Sequence, residues 1–313
     1  MLDQRLQQLN NWLQGFFAYK NFIIKPANND ASFRRYFRVQ YKAQSLIAMD
    51  APPDRENCNA FIAIGELLSN HHIRTPKVFA ADANKGFMLL EDFGTTTLLE
   101  ATQKSFSIKR YQYAIRMLIK AQSIKTEAMD FLPVYSRALL KQEMQLFVDW
   151  YLTQDLPEKE HKILHRIFDA LAASATHRCR QVFVHRDYHA RNLIVLGNRG
   201  IGVLDFQDAV IGSRNYDLCA LLRDAYFELD SSQLQALLKY YYEADEVNMP
   251  FIRFKKQFDL MTLQRCLKIL GIFSRLSKRD GKHQYLNHIP LVKKYALQVC
   301  HEYPEYQLLQ KLI

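Results

Sequence analysis

The fold of this chain is decided by Val182-Phe-Val-His-Arg-Asp-Tyr-His-Ala-Arg-Asn-Leu-Ile-Val195, which is followed closely by Gly202-Val-Leu-Asp-Phe-Gln-Asp208. The first stretch contains His185-Arg-Asp187 and, five residues after that aspartate, Asn192. In the second stretch a short apolar run ends at Asp205. Short runs rich in Val, Ile and Leu predict strands. The pattern therefore places two carboxylates and one amide on loops that strands hold in place.

These three side chains predict the transfer of a phosphoryl group from ATP. Asp187 can accept a proton from a substrate hydroxyl, which makes it the candidate catalytic base. Asn192 and Asp205 are the candidate ligands of Mg²⁺, because a hard cation prefers oxygen ligands. A zinc site at His185 and His189 is not expected, since that spacing needs a helix and the flanking residues predict strand and loop.

Composition and charge limit the possible partners. The chain has 313 residues, 49% of them hydrophobic, and its five cysteines are scattered without C-x-x-C spacing, which argues against disulfides. A formal net charge of +10 is spread along the chain and comes with no nucleic-acid-binding motif. No apolar run reaches the ~20 residues of a membrane helix, and no signal-like segment opens the chain. We therefore expect a cytoplasmic monomer with no nucleic-acid or membrane partner.

The hydrophobic pattern changes along the chain. Up to residue 93 it predicts an N-terminal helix, strands over 22–25, 32–39, 45–50, 78–81 and 86–91, and a helix over 56–70. After residue 94 helical patterns dominate, over 107–125, 135–153, 158–177, 216–228, 232–242, 251–274 and 290–302. This α+β pattern predicts a two-lobed, protein-kinase-like fold. A small antiparallel lobe at 1–93 would bind nucleotide, and a helical lobe at 94–313 would carry the catalytic loop and the substrate pocket.

The N-terminal lobe offers candidate contacts to ATP. In Phe87-Met-Leu-Leu-Glu-Asp-Phe-Gly94, the segment between the lobes, the Glu91 carbonyl and the Phe93 amide can face an adenine edge. The segment from Asn28 to Arg38 takes the place of a phosphate-covering loop but contains no glycine. Ser32 and the neighbouring backbone N–H groups can still bind phosphate.

The third strand lacks a lysine that could pair with the phosphates, because Met49 stands in its place. Either Arg35 or Arg38 on the preceding strand supplies the charge instead, or the β- and γ-phosphates rely on metal and backbone alone. Strand alternation puts Arg34 and Arg38 on one face and Arg35 on the other, and we expect the face of Arg38 to overlie the nucleotide. The candidate partners of such an arginine on the next helix are Glu56 and Glu66.

Several stretches together resemble the aminoglycoside-phosphotransferase branch of the kinase-like fold. Within that branch they are similar to the bacterial anomeric kinases of N-acetylmuramate and N-acetylglucosamine. The resemblance runs from about residue 32 to about residue 290. The stretches that carry it are Ser32-Phe-Arg-Arg-Tyr-Phe-Arg38, Met49-Asp-Ala-Pro-Pro53, Gly86-Phe-Met-Leu-Leu-Glu-Asp-Phe-Gly94, His185-Arg-Asp-Tyr-His-Ala-Arg-Asn192, Val203-Leu-Asp-Phe-Gln-Asp-Ala209, Leu222-Arg-Asp-Ala-Tyr226 and Leu270-Gly-Ile-Phe-Ser-Arg-Leu276.

The resemblance implies phosphorylation of the anomeric C1 hydroxyl of an N-acetylated amino sugar, with ATP and Mg²⁺, during peptidoglycan recycling. The preferred sugar and the choice between ATP and GTP stay open. Asp217 is expected to brace the catalytic loop. The candidate sugar-binding residues with a structural ion pair as the alternative role are Arg191, Arg214, Asp224, Arg275, Arg279 and Asp280. Asp208 is a candidate either for contact with the substrate or for a second acid on the metal side.

Two other functions remain as alternatives. The acceptor could be a different small hydroxyl compound, such as an aminoglycoside, a choline-like or a homoserine-like molecule. The chain could also be a nucleotide-binding module without catalysis, which Met49 and the glycine-free loop would suit. Because Asp187, Asn192 and Asp205 are all present, we favour the kinase, since a module without catalysis has no chemical need for a base and metal ligands.

Overall fold

The described part of the first 96 residues forms five short strands and two helices, and long helices dominate after it. The computed structural model describes residues 3–17, 21–27, 33–177, 179–197 and 200–313. The strands are β1 (Ile23–Pro26), β2 (Arg35–Tyr41), β3 (Gln44–Asp50), β4 (Val78–Asp82), β5 (Phe87–Glu91), β6 (Gln181–Val184), β7 (Leu193–Val195), β8 (Ile201–Val203) and β9 (Val210–Ser213). The helices are α1 (Gln4–Leu13), α2 (Cys58–Asn70), α3 (Leu98–Lys104), α4 (Ile108–Gln122), α5 (Arg137–Leu146), α6 (Glu158–His177), α7 (Asn215–Leu222), α8 (Ser231–Ala244), α9 (Phe251–Asp280), α10 (Ile289–Glu302) and α11 (Gln307–Leu312).

The N-terminal strands form one antiparallel sheet in the order β1-β2-β3-β5-β4. In β2 and β3, Tyr36 lies opposite Met49 and Arg35 lies opposite Asp50. Buried apolar side chains of α1 and of the sheet form a core beneath it, because alternate strand residues point to the same face. These are Leu9, Leu13, Phe17, Phe37, Val39, Ala48, Phe87 and Leu89.

The chain divides into two units. The first contains residues 1–96 and 194–207, and the second contains 97–193 and 208–313. The predicted boundary at residue 93 lies close to residue 96, after which the chain first leaves the first unit. Residues 194–207, however, had been expected in the helical lobe. Packing explains the difference. The Val203 amide donates to the Arg74 carbonyl at 2.8 Å, and the rings of Phe206 and Phe61 lie 4.7 Å apart between centroids.

In the second unit, α9 is thirty residues long and contacts α5, α6, α7 and α10. Gly271 allows its close approach to the end of α5. A Cβ at Gly271 would lie 2.3 Å from the carbonyl carbon of Leu146, a distance that no side chain can accept. One π-helical segment, Phe147–Tyr151, continues α5 directly after this contact. The packed helices therefore fix the position of α9 relative to the rest of this unit.

A short antiparallel pair, β6 and β9, joins two distant segments of the second unit. Val184, at the end of β6, pairs with Val210, at the start of β9. The chain enters the catalytic motif directly after β6, and it enters α7 soon after β9. The pair therefore brings the start of α7 close to the backbone of the motif.

Most predicted elements are found, with bounds shifted by a few residues. Periodicity did not predict α3, which begins with a capping box formed by Thr97 and Glu100, or the short strand β9. The predicted helix over 216–228 ends at Leu222 instead, because Asp224 accepts a hydrogen bond from the Tyr226 amide and turns the chain. In the described part of the chain, no helix has both the length and the apolar character of a membrane span.

Candidate active site

The loop after β6 carries the first motif and is fixed by one buried carboxylate. Asp217, on α7, accepts hydrogen bonds from the backbone amides of His185 at 2.6 Å and Arg186 at 3.0 Å. Arg186 has a φ of 75°, in the left-handed region that L-residues rarely adopt. Burial raises the pKa of Asp217 to about 6 against the lowering effect of these contacts. Asp217 therefore lies where the sequence predicted a brace.

Asp187 is half-buried in this loop, and its backbone is held on both sides. Its amide donates to His185 Nδ1 at 3.3 Å, and its carbonyl accepts from Asn192 Nδ2 at 3.0 Å. Burial raises the pKa of the Asp187 carboxyl, but the nearby charges of Lys268, His189 and Arg265 outweigh burial and hold the pKa below its usual value. The carboxylate is therefore ionised near neutral pH, as a proton acceptor must be.

A buried charge network lies behind the catalytic loop. Glu143, on α5, pairs with Arg186 and with Lys268, at 2.9 Å in each case, and also accepts from the Tyr135 hydroxyl. Burial raises the pKa of Glu143, but Lys268, Tyr135 and Arg186 lower it more. Arg265 Nη1 donates to the Arg186 carbonyl at 3.2 Å. The network therefore joins α5, the loop and α9 through charged hydrogen bonds.

A cavity of about 200 Å³ in the second unit has Asp187 in its wall. Its lining combines charged or polar residues, among them His189, Arg265 and Lys268, with aromatic and aliphatic ones. Its volume and its mixed character suit one small polar molecule with an apolar face. The full lining is Asp187, His189, Ala220, Ala225, Tyr226, Arg265, Lys268, Ile269, Ile272, Phe273, Leu276 and Tyr285.

Two of the predicted sugar-binding residues support this cavity from outside its lining. The Arg191 guanidinium lies 4.2 Å from the ring centroid of Tyr226, which lines the cavity. Asp224 is buried and accepts from the amides of Ala190 and Tyr226, at 2.9 Å each. Burial raises the pKa of Asp224. Both residues therefore hold the cavity wall, and their contact with a sugar stays a prediction.

The other predicted sugar-binding residues are not part of the lining that the described residues give this cavity. Arg214 is buried and pairs with Asp245 at 3.1 Å. Arg279 is exposed and pairs with the adjacent Asp280. Asp208 is exposed, and Arg275 is half-buried on α9. For Arg214 and Arg279 the ion pair that the sequence left as the alternative is present.

The residues that line the cavity on α9 were missed by the sequence analysis. They are spaced three and four residues apart at 265, 268, 269, 272, 273 and 276, which is one face of a helix. Arg265 and Lys268 interrupt an otherwise largely apolar helix face. These two charges were the feature of the sequence that could have indicated a binding site on α9. It was not sufficient, because an isolated charge on a helix is usually solvated.

The second motif belongs to the first unit and also contains strained backbone. Asp205 has a φ of 60°, and its Oδ1 accepts from Gln207 Nε2 at 2.9 Å. Arg34 Nη1 lies 3.6 Å from the same oxygen, and Arg34 Nη2 lies 2.5 Å from Glu56 Oε2. Of the two glutamates proposed as partners of an arginine, Glu56 is thus the one that forms the ion pair, and it does so with Arg34.

The predicted adenine segment lies at the end of β5. The Glu91 carboxylate pairs with Arg74, and the Glu91 amide donates to the Lys77 carbonyl at 2.9 Å. Phe93 packs on Gly202, where an added Cβ would lie 2.5 Å from the ring. Only glycine allows the ring this close to β8. Binding of adenine by the backbone of Glu91 and Phe93 stays a prediction.

The residues predicted to bind phosphate have varied surroundings. The Arg38 guanidinium donates a hydrogen bond to Asp92 at 2.6 Å. This hydrogen bond raises the pKa of Arg38, and burial lowers it by less. Arg35 pairs with Asp50 at 2.5 Å and also with Asp3. Met49 is buried, at 1% exposure, so no solvent-facing group replaces the lysine at its position. Ser32 lies outside the described residues.

The candidate metal ligands have the chemistry that Mg²⁺ requires. Asn192 donates through Nδ2 to the Asp187 carbonyl, which turns the other end of the amide, its oxygen, away from that carbonyl. The Asp205 side chain is 44% exposed and carries two carboxylate oxygens. Amide and carboxylate oxygens are suitable ligands for a hard divalent cation. Asn192 and Asp205 therefore fit Mg²⁺ as donors.

Residues 23–253, a span that contains both motifs, match the phosphotransferase enzyme family. The chain belongs to this family. Members similar to it over nearly the full length are N-acetylmuramate/N-acetylglucosamine kinases. The one from Pseudomonas aeruginosa is 39% identical, with 99% of this chain and 96% of that protein covered. The one from Neisseria meningitidis serogroup B is 35% identical, with the same coverage.

Solved structures of the phosphotransferase family share the fold at low sequence identity. An ADP-bound aminoglycoside phosphotransferase has a TM-score of 0.63 and 17% identity, and covers 94% of this chain and 98% of its own. Choline kinase LicA from Streptococcus pneumoniae has a TM-score of 0.66 and 12% identity, and covers 94% and 99%. The predicted aminoglycoside phosphotransferase fold is therefore confirmed.

Proposed function

We propose that this phosphotransferase transfers the terminal phosphoryl group of ATP to the anomeric C1 hydroxyl of N-acetylmuramic acid or N-acetylglucosamine. The observation that carries the proposal is the cavity in the second unit, which has the Asp187 carboxylate in its wall. The substrate is suggested by the full-length similarity to kinases named for these two sugars.

Asp187 acts as the base in the proposed reaction. Its carboxylate accepts the proton of the C1 hydroxyl as that oxygen forms a bond to the γ-phosphorus, and the bond to the β,γ-bridging oxygen breaks to release ADP. A hemiacetal hydroxyl is more acidic than other sugar hydroxyls, so one carboxylate is a sufficient base. Asn192 and Asp205 would hold Mg²⁺, which neutralises charge on the phosphates when bound.

The cavity suits an amino sugar better than an aminoglycoside. His189, Arg265 and Lys268 line the cavity with Asp187 and act on its charge, and they disfavour a ligand with several positive charges. A neutral sugar or one with a carboxylate avoids this repulsion, and the apolar part of the lining can cover the sugar ring and the acetyl methyl group. Tyr226, Phe273 and Tyr285 provide aromatic surface for this contact.

Purified protein tests the proposal in an ADP-release assay with Mg·ATP and a panel of sugars. We expect turnover with the two N-acetylated sugars and none with their 1-O-methyl glycosides, which lack a free C1 hydroxyl. ³¹P NMR of the product should show a sugar 1-phosphate. Turnover of the methyl glycosides would contradict the C1 assignment, and turnover of kanamycin or choline alone would favour the alternative acceptors.

A pair of neighbouring variants tests whether the cavity holds the sugar. Tyr285→Ala removes an aromatic ring from the lining and should raise the KM for the sugar ~10-fold without changing the KM for ATP. Leu286→Ala is the matched control, because Leu286 is 42% exposed and not among the lining residues that the described chain provides. Equal effects of both variants would argue against this site for the acceptor.

We also propose that the protein works as a cytoplasmic monomer in peptidoglycan recycling, where sugars freed from the cell wall are reused. The support is the chemistry of the suggested substrate and its dependence on ATP. Cell fractionation tests the compartment, and light scattering of the purified protein tests the monomer. A stable dimer or a membrane-bound fraction would contradict this part of the proposal.

A further inference from the structure

Phosphoryl transfer from ATP needs a fixed positive charge at the phosphates, which kinases commonly supply from a lysine that pairs with a glutamate. In this chain the strand position is occupied by Met49, whose thioether is buried and carries no charge. A protein cation at the phosphates of ATP would therefore come from another residue.

Arg34, directly before β2, has the contacts that this role requires. Its side chain is only 9% exposed, and its Nη2 lies 2.5 Å from Glu56 Oε2, next to Asn57, the N-cap of α2. Its other terminal nitrogen, Nη1, lies 3.6 Å from the Asp205 carboxylate. One guanidinium thus joins the start of α2 to the carboxylate that is the candidate metal ligand.

The two distances differ in a way that matters for nucleotide binding. The contact with Glu56 is a short, charge-assisted ion pair, which holds the planar guanidinium in one orientation. The contact with Asp205 is longer than a hydrogen bond and partly exposed, so it is the weaker of the two. Asp205 would therefore be able to help hold Mg²⁺ while Arg34 keeps its ion pair with Glu56.

We propose that Arg34, anchored by Glu56, is the cation that binds the phosphates of the nucleotide in place of the missing lysine. Arg34 is a nucleotide-binding residue in this proposal, and Glu56 is a positioning residue. Arg35 and Arg38 are less suitable, because their ion pairs are with Asp50 and Asp3 and with Asp92 respectively, rather than with the candidate metal ligand Asp205. The inference rests on the proposed use of ATP but not on the identity of the sugar.

The test measures binding of Mg·ADP by calorimetry, which needs no sugar acceptor. Arg34→Ala should weaken binding ~10- to 100-fold, the usual effect of losing a charge-assisted contact. Arg34→Lys should recover part of the affinity, because it restores the charge without the planar fork. Glu56→Gln should weaken binding less than Arg34→Ala, since the cation remains but loses its anchor.

Arg55→Ala is the matched control. Arg55 is adjacent to Glu56, pairs with Asp54 at 3.5 Å and stacks on the Phe33 ring, yet it is 54% exposed. The Arg55→Ala variant should bind Mg·ADP with the same affinity as the unchanged protein. Unaltered affinity in Arg34→Ala would overturn the inference, as would a loss in Arg38→Ala that exceeds the loss in Arg34→Ala.

Melting curves of each variant separate loss of binding from loss of folding. If Arg34→Ala does not fold, the Arg34→Lys and Glu56→Gln affinities decide, and unchanged affinity in both overturns the inference. Failure of every sugar in the ADP-release assay would contradict the proposed function while leaving the Mg·ADP result intact. If the unchanged protein phosphorylates the sugars and Arg34→Ala binds Mg·ADP with unaltered affinity, the proposed function stands and only the role of Arg34 is contradicted.

Discussion

Single residues at the two motifs have unusual backbone geometry. Arg186 and Asp205 both have positive φ values, of 75° and 60°, and neither is a glycine. Such conformations cost on the order of 1 kcal/mol or more and persist where the surrounding structure enforces them. For Arg186, the enforcing contacts are the hydrogen bond from its backbone amide to the Asp217 carboxylate and its ion pair with Glu143. The strain lies directly beside the predicted base in one motif and on the predicted metal ligand in the other.

Replacing Asp187 with asparagine tests the base assignment. The variant keeps the size and the half-buried position of the side chain but cannot accept the proton. We expect kcat to fall by a factor on the order of 10²–10⁴, with Mg·ADP affinity nearly unchanged. Steady-state kinetics and calorimetry provide the two measurements. Turnover at the normal rate would show that another group removes the proton.

Replacing Asp205 with alanine tests the metal assignment. Because Asp205 would help to hold the Mg²⁺ that neutralises charge on the phosphates, the variant should lose the Mg²⁺-dependent part of nucleotide binding. The measurement is ADP affinity with Mg²⁺ and with EDTA, in the variant and in the unchanged protein. If Mg²⁺ strengthens binding equally in both proteins, Asp205 is not the ligand.

At the scale of elements, Glu143 connects α5, the catalytic loop and α9. Replacing it with glutamine should leave Arg186 and Lys268 without a buried counter-charge and lower the free energy of unfolding by roughly 3–5 kcal/mol at pH 7. Urea unfolding measures the loss. Glu243→Gln is the control, because the Glu243 side chain is 61% exposed and its pair with Lys239 should contribute little.

The same variant makes a prediction about pH. The pKa of Glu143 is held below its ordinary value of 4.5 in the folded protein, so its stabilising contribution is complete above that pH and is lost as the pH falls below it. The difference in unfolding free energy between the unchanged protein and Glu143→Gln should therefore shrink as the pH is lowered from 4.5. A difference that stays constant below pH 4.5 would contradict a lowered pKa.

The sequence predicted elements well where hydrophobic periodicity was strong, as for α6, whose bounds match the prediction. It did not predict β9, because four buried residues show no alternation and the pairing with β6 is a long-range contact. The same limit applies to the site. Short motifs predicted Asp187, Asn192 and Asp205 as candidates, whereas the ion pair of Arg34 and Glu56 joins the segment before β2 to the segment before α2 and is a long-range contact.

At the scale of the whole molecule, the chain passes between the two units three times, after residues 96, 193 and 207. The first unit therefore needs a segment that is distant in sequence. Phe206 is fully buried, and an added Cβ at Gly65 would lie 3.4 Å from its ring. Deleting a buried phenylalanine typically costs about 3–5 kcal/mol, which is a large share of the stability of a domain.

A fragment of residues 1–96 should consequently fail to fold by itself. The same fragment joined by a flexible Gly/Ser linker to residues 194–207 should fold. It regains Phe206 and the hydrogen bond from the Val203 amide to the Arg74 carbonyl. Circular dichroism and amide hydrogen exchange measure the difference. The linked fragment with Phe206→Ala is the control. Equal cooperative melting of the 1–96 fragment and the linked fragment would contradict this prediction.

The late arrival of residues 194–207 also has a consequence during synthesis of the chain. Strands β1 to β5 leave the ribosome long before the segment that covers α2 has been made. At ~5–20 residues per second, the addition of residues 97–207 takes on the order of ten seconds, which is far longer than a hairpin needs to form. During that interval the nascent chain exposes the apolar side chains that Phe206 later covers, and this is when a ribosome-bound chaperone would have its longest opportunity to bind.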